Sequence, residues 1–219
     1  MYRRSALISA LAIAGFALFH SLLASLPVKR RVRALAGPRW SDGLYRFAFN
    51  GIAVVTLAAL VRAIWEMPDR TLYRLQGIPK WLLIAGQLLC AAALIDTNRR
   101  NEFGRVTGIK HAYQFITGRE IERPPVAQHP LPDGEALEGW GGPFRLSSHP
   151  NNYFVLLLYW LSPVMTVKWA AIGLVTFAYM ILGSMHEDAR LTHAYGDAYT
   201  RYRQRVPHLI LFPIDHWRR

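Results

Sequence analysis

The sequence predicts an all-α polytopic membrane protein with about five transmembrane helices, a C-terminal helical hairpin and an amphipathic helix on the cytoplasmic side. Two observations lead to this fold class: long apolar runs alternate with basic stretches, and most basic residues fall on one side of those runs. The chain of 219 residues is 52% hydrophobic and still carries a formal net charge of +12. A soluble basic domain would mix its charges into amphipathic elements, so this segregation indicates a membrane protein.

Five apolar runs are predicted to cross the membrane: Ser5–Ser25, Leu44–Trp65, Trp81–Asp96, Tyr153–Thr166 and Trp169–Met185. The first two contain 21 and 22 residues, which suffices for a hydrocarbon core about 30 Å thick at about 1.5 Å per residue. The last two contain 14 and 17 residues and are predicted to form a tight hairpin that flanking polar residues lengthen. The basic stretch that follows the first run favours a retained span over a cleaved signal peptide.

The distribution of lysine and arginine predicts the orientation of the chain. Nineteen of them lie in residues 27–46, in residues 97–148 or after residue 186, and six lie on the opposite side. Because basic loops remain in the cytoplasm, we expect the N-terminus outside and the C-terminus inside. These basic residues are expected to contact anionic lipid rather than nucleic acid. The single cysteine, Cys90, excludes a disulfide framework and a cysteine-based zinc site, and no metal site is predicted.

The chain is predicted to have two parts. Residues 1–144 form an N-terminal region of three spans with a cytoplasmic loop, and residues 145–219 form the hairpin and the C-terminal helix. Prolines and glycines interrupt the loop over residues 97–144, where one helix is expected around Ile109–Ile116. Aromatic residues interleaved with these breaks predict that the loop packs on the membrane surface.

The first candidate segment for chemistry surrounds His149 and Pro150. Pro150 fits the first turn of a helix, where its missing N–H costs nothing, and His149 would then occupy the N-cap. The free N–H groups of that turn, with the side-chain amides of Asn151 and Asn152, suit a carboxylate or a phosphate. A capped helix start with no ligand would explain these residues equally well.

The second candidate segment is the acidic pair Glu187-Asp188, just after the last apolar run. A carboxylate at the end of a membrane span is costly and is therefore a functional candidate. Glu187 could accept hydrogen bonds from hydroxyl groups or from a cationic ligand. The structural alternative is an ion pair with Arg190, which lies on the same helix face.

The third candidate segment is a short basic helix that ends before Pro207. Gly196 permits a turn and Asp197 can cap the new helix. Helical spacing then places three apolar or aromatic side chains on one stripe with Arg203 at its border, namely Tyr199, Tyr202 and Val206. Arg201 and Arg205 point away from it. A basic amphipathic helix that lies on the membrane is the alternative.

In this order the three segments resemble the C-terminal signature of the membrane methyltransferases related to isoprenylcysteine carboxyl methyltransferase. The matching residues are Ser148-His149-Pro150, Glu187-Asp188 and Tyr199–Pro207. The rest of the chain looks most like the methanethiol S-methyltransferase branch, at 20–25, 103–104, 108–110 and 162–166. Two departures are Ser148, where the family usually has arginine, and Phe154, where it usually has glycine.

The resemblance implies an enzyme that uses S-adenosylmethionine on the cytoplasmic side and methylates a thiol or another small or lipophilic acceptor. It implies catalytic roles for Glu187 and Arg145. The residues that it implies for cofactor binding are His149, Pro150, Asn152, Glu187, Tyr199, Tyr202 and Arg203. The helix start suits the methionine carboxylate, the Glu187 carboxylate suits the ribose or the ammonium, and the tyrosine stripe suits adenine. A bacterial inner membrane is the expected location.

Two other functions remain open at this point. Membrane sterol reductases share a similar hairpin and a His-Pro-Asn-like start, and they would use NADPH. A non-enzymatic haem-binding or assembly protein could use His20 and His186, which lie near the cytoplasmic ends of two spans. The other lone histidines, His208 and His111 among them, lack metal-like spacing and are expected at the membrane interface.

Overall fold

The computed structural model describes residues 1–122 and 141–208 and confirms the all-α polytopic class. The helices are α1 Tyr2–Ala24, α2 Leu26–Ala36, α3 Pro38–Trp65, α4 Gly77–Arg100, α5 Phe103–Thr107, α6 Ile109–Ile116, α7 Pro150–Trp160, α8 Val167–Tyr195 and α9 Asp197–Arg205. The other elements are a short 3-10 helix, Gly142–Arg145, and two strands, β1 Thr71–Arg74 and β2 Val164–Thr166. The helix expected around Ile109–Ile116 is confirmed as α6. Residues 123–140, the part of the predicted loop richest in proline, lie outside the described residues.

Four helices in the described part of the chain are long and apolar enough to cross a membrane: α1, α3, α4 and α8. The fourth predicted span differs, because α7 contains only 11 residues. At about 1.5 Å per residue it covers roughly half of a hydrocarbon core about 30 Å thick. The helix stops because Pro163 disfavours the helical conformation at Ser162, and the chain continues in an extended conformation into β2.

The contacts of α7 show how far this shorter segment reaches. The described residues 71–101, 141–166 and 176–208 form one compact unit. Within it the Asn98 side-chain amide, near the end of α4, donates to Asn151 Oδ1 at 3.4 Å. The backbone N–H of Leu75, just before α4, donates to the carbonyl of Pro163 at 2.9 Å. The half-length helix and the extended residues after it therefore run antiparallel to α4 along its whole length.

The strands β1 and β2 close that end of the unit. They pair antiparallel, with Thr71 opposite Thr166 and Arg74 opposite Val164. The hydroxyl of Tyr73 also donates to the carbonyl of Ser162 at 3.1 Å. Non-helical backbone is tolerated at membrane depth only where its polar groups are satisfied. This ribbon provides such partners to the extended part of the chain.

A second compact unit contains the described residues 1–70, 102–122 and 167–175. In it, the amide of Asn50 on α3 donates to the carbonyls of Val106 and Thr107 at 3.1 and 2.9 Å. Gly108 has a positive φ of 85°, and a Cβ atom there would lie 2.5 Å from the backbone nitrogen of Phe47. A residue with a side chain would therefore separate α5 and α6 from α3.

The start of α8 is anchored in the same unit by a buried lysine. Lys168 is 3% exposed, and its ammonium donates to the carbonyls of Ile64 and Met67 at 2.8 and 2.9 Å. The backbone N–H of Lys168 donates to the carboxylate of Asp69 at 3.1 Å. A cation that binds the last carbonyls of a helix satisfies them and complements the helix dipole. The end of α3 thereby fixes where α8 begins.

Candidate functional site

The start of α7 has the local structure that the sequence predicts. His149 occupies the N-cap, Pro150 is in the first turn, and both are buried. Ser147 stabilises this turn, because its hydroxyl accepts from the backbone N–H of His149 at 3.1 Å and donates to the carbonyl of His208 at 2.8 Å. The His149 ring turns away from the backbone that it would cap and toward α8.

Asp188 on α8 is the centre of the polar contacts. Its Oδ1 accepts hydrogen bonds from His149 Nε2 at 2.7 Å and from the hydroxyl of Tyr199. Its Oδ2 accepts from His208 Nδ1 at 2.9 Å and lies 3.5 Å from Arg203 Nε. These four donors come from α7, α9 and the residues after α9. We call Asp188 and its four partners the Asp188 network.

The two carboxylates next to His149 determine its charge. His149 is 3% exposed, with Nε2 bonded to Asp188 and Nδ1 at 3.3 Å from Glu187 Oε2. Burial alone lowers the pKa of His149, but the hydrogen bonds and the charges of Asp188 and Glu187 outweigh burial, so the pKa lies above its usual value. The two carboxylates therefore favour the imidazolium form of His149, with one ring nitrogen facing each of them.

The tyrosine stripe of α9 is confirmed as its buried face. Tyr199, Tyr202 and Val206 pack with Phe144 and Leu191 in one apolar cluster. The hydroxyl of Tyr202 donates to the carbonyl of Phe144 at 2.7 Å. Burial is the main cause that raises the pKa of both tyrosines, so both stay protonated and Tyr199 remains a donor to its carboxylate. Arg201 and Arg205 are exposed, as predicted.

Of the other predicted site residues, Arg203 belongs to the Asp188 network, and Asn152 and Arg145 do not. Arg203 belongs to the site, and a terminal nitrogen of its guanidinium also donates to Ser148 Oγ at 3.1 Å. It thus provides a guanidinium beside the position where the resembled family usually has arginine. Asn152 lies in the first turn of α7 and donates to Ser184 Oγ at 2.7 Å. Arg145 is exposed on the 3-10 helix and makes no ion pair with the described residues.

Two important residues were missed or underrated by the sequence analysis. Asp188 was recognised only as the neighbour of Glu187, although it holds the network together. His208 was expected at the membrane interface but is 6% exposed and bonded to Asp188. The signal that could have found it is its place directly after Val206-Pro207, the end of the resembled signature. His111 is also buried in the protein. The position of both histidines at the membrane interface stays a prediction.

The same side chains offer ligand atoms for a metal ion. Ligand atoms of His149, Asp188 and His208 all lie within 4.8 Å of one another. Both imidazoles already donate hydrogen bonds to the Asp188 carboxylate, however. The positively charged Arg203 guanidinium, which lies beside Asp188 Oδ2, would also repel a metal ion at this place. Hydrogen bonding is therefore sufficient to explain this arrangement.

The fold and the network together define an integral membrane protein with a buried carboxylate–imidazole site at the open end of a helical hairpin.

Known proteins similar to this chain share one name. Methanethiol S-methyltransferase 2 of Bradyrhizobium diazoefficiens is 25% identical over 209 residues, which are 93% of this chain and 72% of that protein. Methanethiol S-methyltransferase of Crocosphaera subtropica is 34% identical over 69 residues, or 32% of this chain and 27% of that protein.

Methanethiol S-methyltransferase 1 of B. diazoefficiens is 33% identical over 76 residues, or 35% of this chain and 25% of that protein. The two matches with higher identity therefore span only about a quarter of the length of those relatives. No family model and no solved structure matches the chain. The resemblance to the methanethiol S-methyltransferase branch is confirmed. These names indicate a methyltransferase, and the four long apolar helices indicate a membrane protein.

Proposed function

We propose that this protein is an integral membrane methyltransferase that uses S-adenosylmethionine and methylates a thiol or another small or lipophilic acceptor. The observation that carries the proposal is the convergence of the resembled signature segments on the Asp188 network. His149, Asp188 and Tyr199 come from three different segments of the signature and make direct hydrogen bonds. A likeness that covered only helix packing would not require this polar convergence.

The chemistry of the site fits such a cofactor. Glu187 places a partly buried carboxylate next to the start of α7, where it can accept from an ammonium or from ribose hydroxyls. The first turn of α7, with Asn152 beside it, suits the methionine carboxylate. His208 Nε2 is buried and has no hydrogen-bond partner in residues 1–122 or 141–208. The site therefore combines acceptors for a cation with a buried ring nitrogen of His208 that has no partner in the described residues.

In this proposal, the residues of the site have the following roles. His149, Pro150, Asn152 and Glu187 bind the cofactor, and Glu187 orients the reacting groups. A catalytic role for Arg145 rests on the resemblance alone, because this side chain is exposed on the 3-10 helix. Tyr199, Tyr202 and Arg203 line the site at α9, and their hydrogen bonds fix the position of that helix. The cofactor supplies an electrophilic methyl group on a sulfonium. The protein then contributes proximity, alignment and the exclusion of water.

We expect the purified protein in detergent to bind S-adenosylhomocysteine in a calorimetric titration and to give no heat with NADPH. The reason is that the site offers carboxylates to an ammonium, whereas a 2′-phosphate would need a cluster of cations. Binding of NADPH alone would favour the reductase. A strong visible band of a bis-histidine haem would favour the non-enzymatic alternative, and absence of binding to S-adenosylhomocysteine by the wild-type protein would reject the methyltransferase.

We further propose that the N-terminus lies outside and the C-terminus in the cytoplasm of a bacterial inner membrane. The asymmetry of basic residues supports this orientation, and the four long helices plus the return path of residues 150–166 supply the odd number of crossings that it needs. A reporter that is active only in the cytoplasm should be active when it is fused after Arg219, and a reporter that is active only in the periplasm should not. A signal from a periplasmic marker at that position would contradict the orientation and the count of crossings.

A further inference from the structure

The two histidines that share Asp188 differ in what their second ring nitrogen contacts. His149 Nδ1 faces Glu187 Oε2 at 3.3 Å, so both of its nitrogens face carboxylates. His208 Nδ1 is bonded to Asp188 Oδ2 at 2.9 Å, and its Nε2 is buried with no hydrogen-bond partner in the described part of the chain. His149 thus has both ring nitrogens next to carboxylates, whereas His208 has one ring nitrogen without a partner among residues 1–122 and 141–208.

The partners of His208 determine its tautomer. A carboxylate accepts hydrogen bonds, so the proton of a neutral His208 is on Nδ1 and the lone pair is on Nε2. Among residues 1–122 and 141–208 no side chain or backbone group donates to this Nε2 lone pair. An aspartate that orients an imidazole through Nδ1 and leaves Nε2 as the acceptor is the arrangement of a general base.

We propose that Asp188 and His208 form a general-base dyad that removes the proton when the methyl acceptor of the proposed function is a neutral thiol. This inference rests on the proposed function. A carboxylate acceptor is ionised at neutral pH and would need no base. An alkanethiol is mostly protonated there, and the thiolate is its reactive form. A buried base is therefore useful for a thiol and superfluous for a carboxylate.

The step balances in atoms and electrons. His208 Nε2 takes the proton of the thiol, and the electron pair of that S–H bond stays on the thiol sulfur. This sulfur forms a bond to the methyl carbon, while the bond from the methyl carbon to the sulfonium sulfur breaks and its pair stays on that sulfur. Two neutral thioethers result, and the proton leaves His208 for water when the site opens. Asp188 stabilises the imidazolium until then.

The charges around His208 are nearly balanced before reaction. The Asp188 and Glu187 carboxylates lie on α8, the His149 imidazolium lies at the start of α7, and the Arg203 guanidinium lies on α9. Tyr199 is protonated and neutral. Two negative and two positive groups therefore balance one another in the site, and Asp188 is the one of them to which the His208 ring is hydrogen-bonded in the described residues.

The test compares His208→Asn with the wild-type protein on two thiols, ethanethiol and the far more acidic thiophenol. At a pH where only thiophenol is ionised, the variant should lose about 100-fold or more in kcat/KM on ethanethiol. Its loss on thiophenol should be only a few-fold, and its affinity for S-adenosylhomocysteine should be unchanged. The control His193→Asn changes an exposed histidine of α8 and should alter none of these values.

An equal loss on both thiols, or no loss on ethanethiol, would overturn the dyad. If His208→Asn does not fold, the pH profile of the wild-type protein decides. With a base, kcat/KM for ethanethiol levels off well below the pKa of the thiol, whereas without one it rises until the thiol itself ionises. A wild-type protein that neither binds S-adenosylhomocysteine nor transfers methyl groups would reject the proposed function itself, which is a distinct result.

Discussion

Replacing Asp188 by alanine should destabilise the protein by about 3–5 kcal/mol, because the buried His149 imidazolium would lose its best partner. The side chains of Tyr199, Arg203 and His208 would also lose the carboxylate that they contact. Thermal unfolding in detergent measures the effect. The matched control is Asp197→Ala, which removes an exposed carboxylate in the first turn of α9. A melting temperature of Asp188→Ala equal to that of the wild type would show that the network contributes nothing to the fold.

The Asp188 network also predicts how stability depends on pH. The folded-state pKa of His149 lies above its ordinary value of 6.5. The stabilisation from its charged form is therefore complete below that ordinary value and is lost as the pH rises through the folded-state pKa. The difference in melting temperature between the wild type and Asp188→Asn should shrink over that rise. A difference that grows with pH would contradict the charged state of His149.

Replacing Glu187 by glutamine should weaken the binding of S-adenosylhomocysteine by about 10- to 150-fold, which corresponds to about 1.5–3 kcal/mol for a charge-assisted hydrogen bond. The glutamine keeps the size and most of the hydrogen-bond geometry and removes the charge. The stability of the ligand-free protein should fall by about 1 kcal/mol or less, because Asp188 still pairs with His149. Calorimetry and thermal unfolding of one preparation measure both quantities.

The control for this variant is Glu120→Gln, which changes an exposed carboxylate after α6 and should leave affinity and stability unchanged. A large loss of stability in Glu187→Gln with unchanged affinity would make Glu187 a structural residue. His149→Ala cannot separate the two roles in the same way. The residue is buried and bonded to Asp188, so its removal should lower both stability and affinity.

Much of the fold could be predicted because membrane spans follow from the length of apolar runs. This rule located α1, α3, α4 and α8, each within a few residues at most ends. It failed for α7, because an apolar run has the same composition whether it is wholly helical or partly extended. Only Pro163 indicates the change, and its effect depends on the partners that β1 provides.

The site could be predicted only in part, for a geometric reason. Side chains of Glu187 and Asp188 diverge by about 100° on the helix, and nothing in the sequence says which of them faces α7. His208 follows the end of α9, so its position depends on how α9 folds back onto α8. Motif order located the segments, whereas the tertiary structure determined which atoms meet.

The half-length α7 has a consequence for how the protein is made. A ribosome delivers the chain to the membrane in order, and a segment of 11 helical residues is too short to partition into lipid as an independent helix. The segment can enter the bilayer only by packing against α4, which must already be inserted. The long α8 must then insert and pack against it. Biogenesis of this region is therefore cooperative. A chain that stalls before α8 would leave residues 150–166 outside the bilayer, exposed to quality-control proteases.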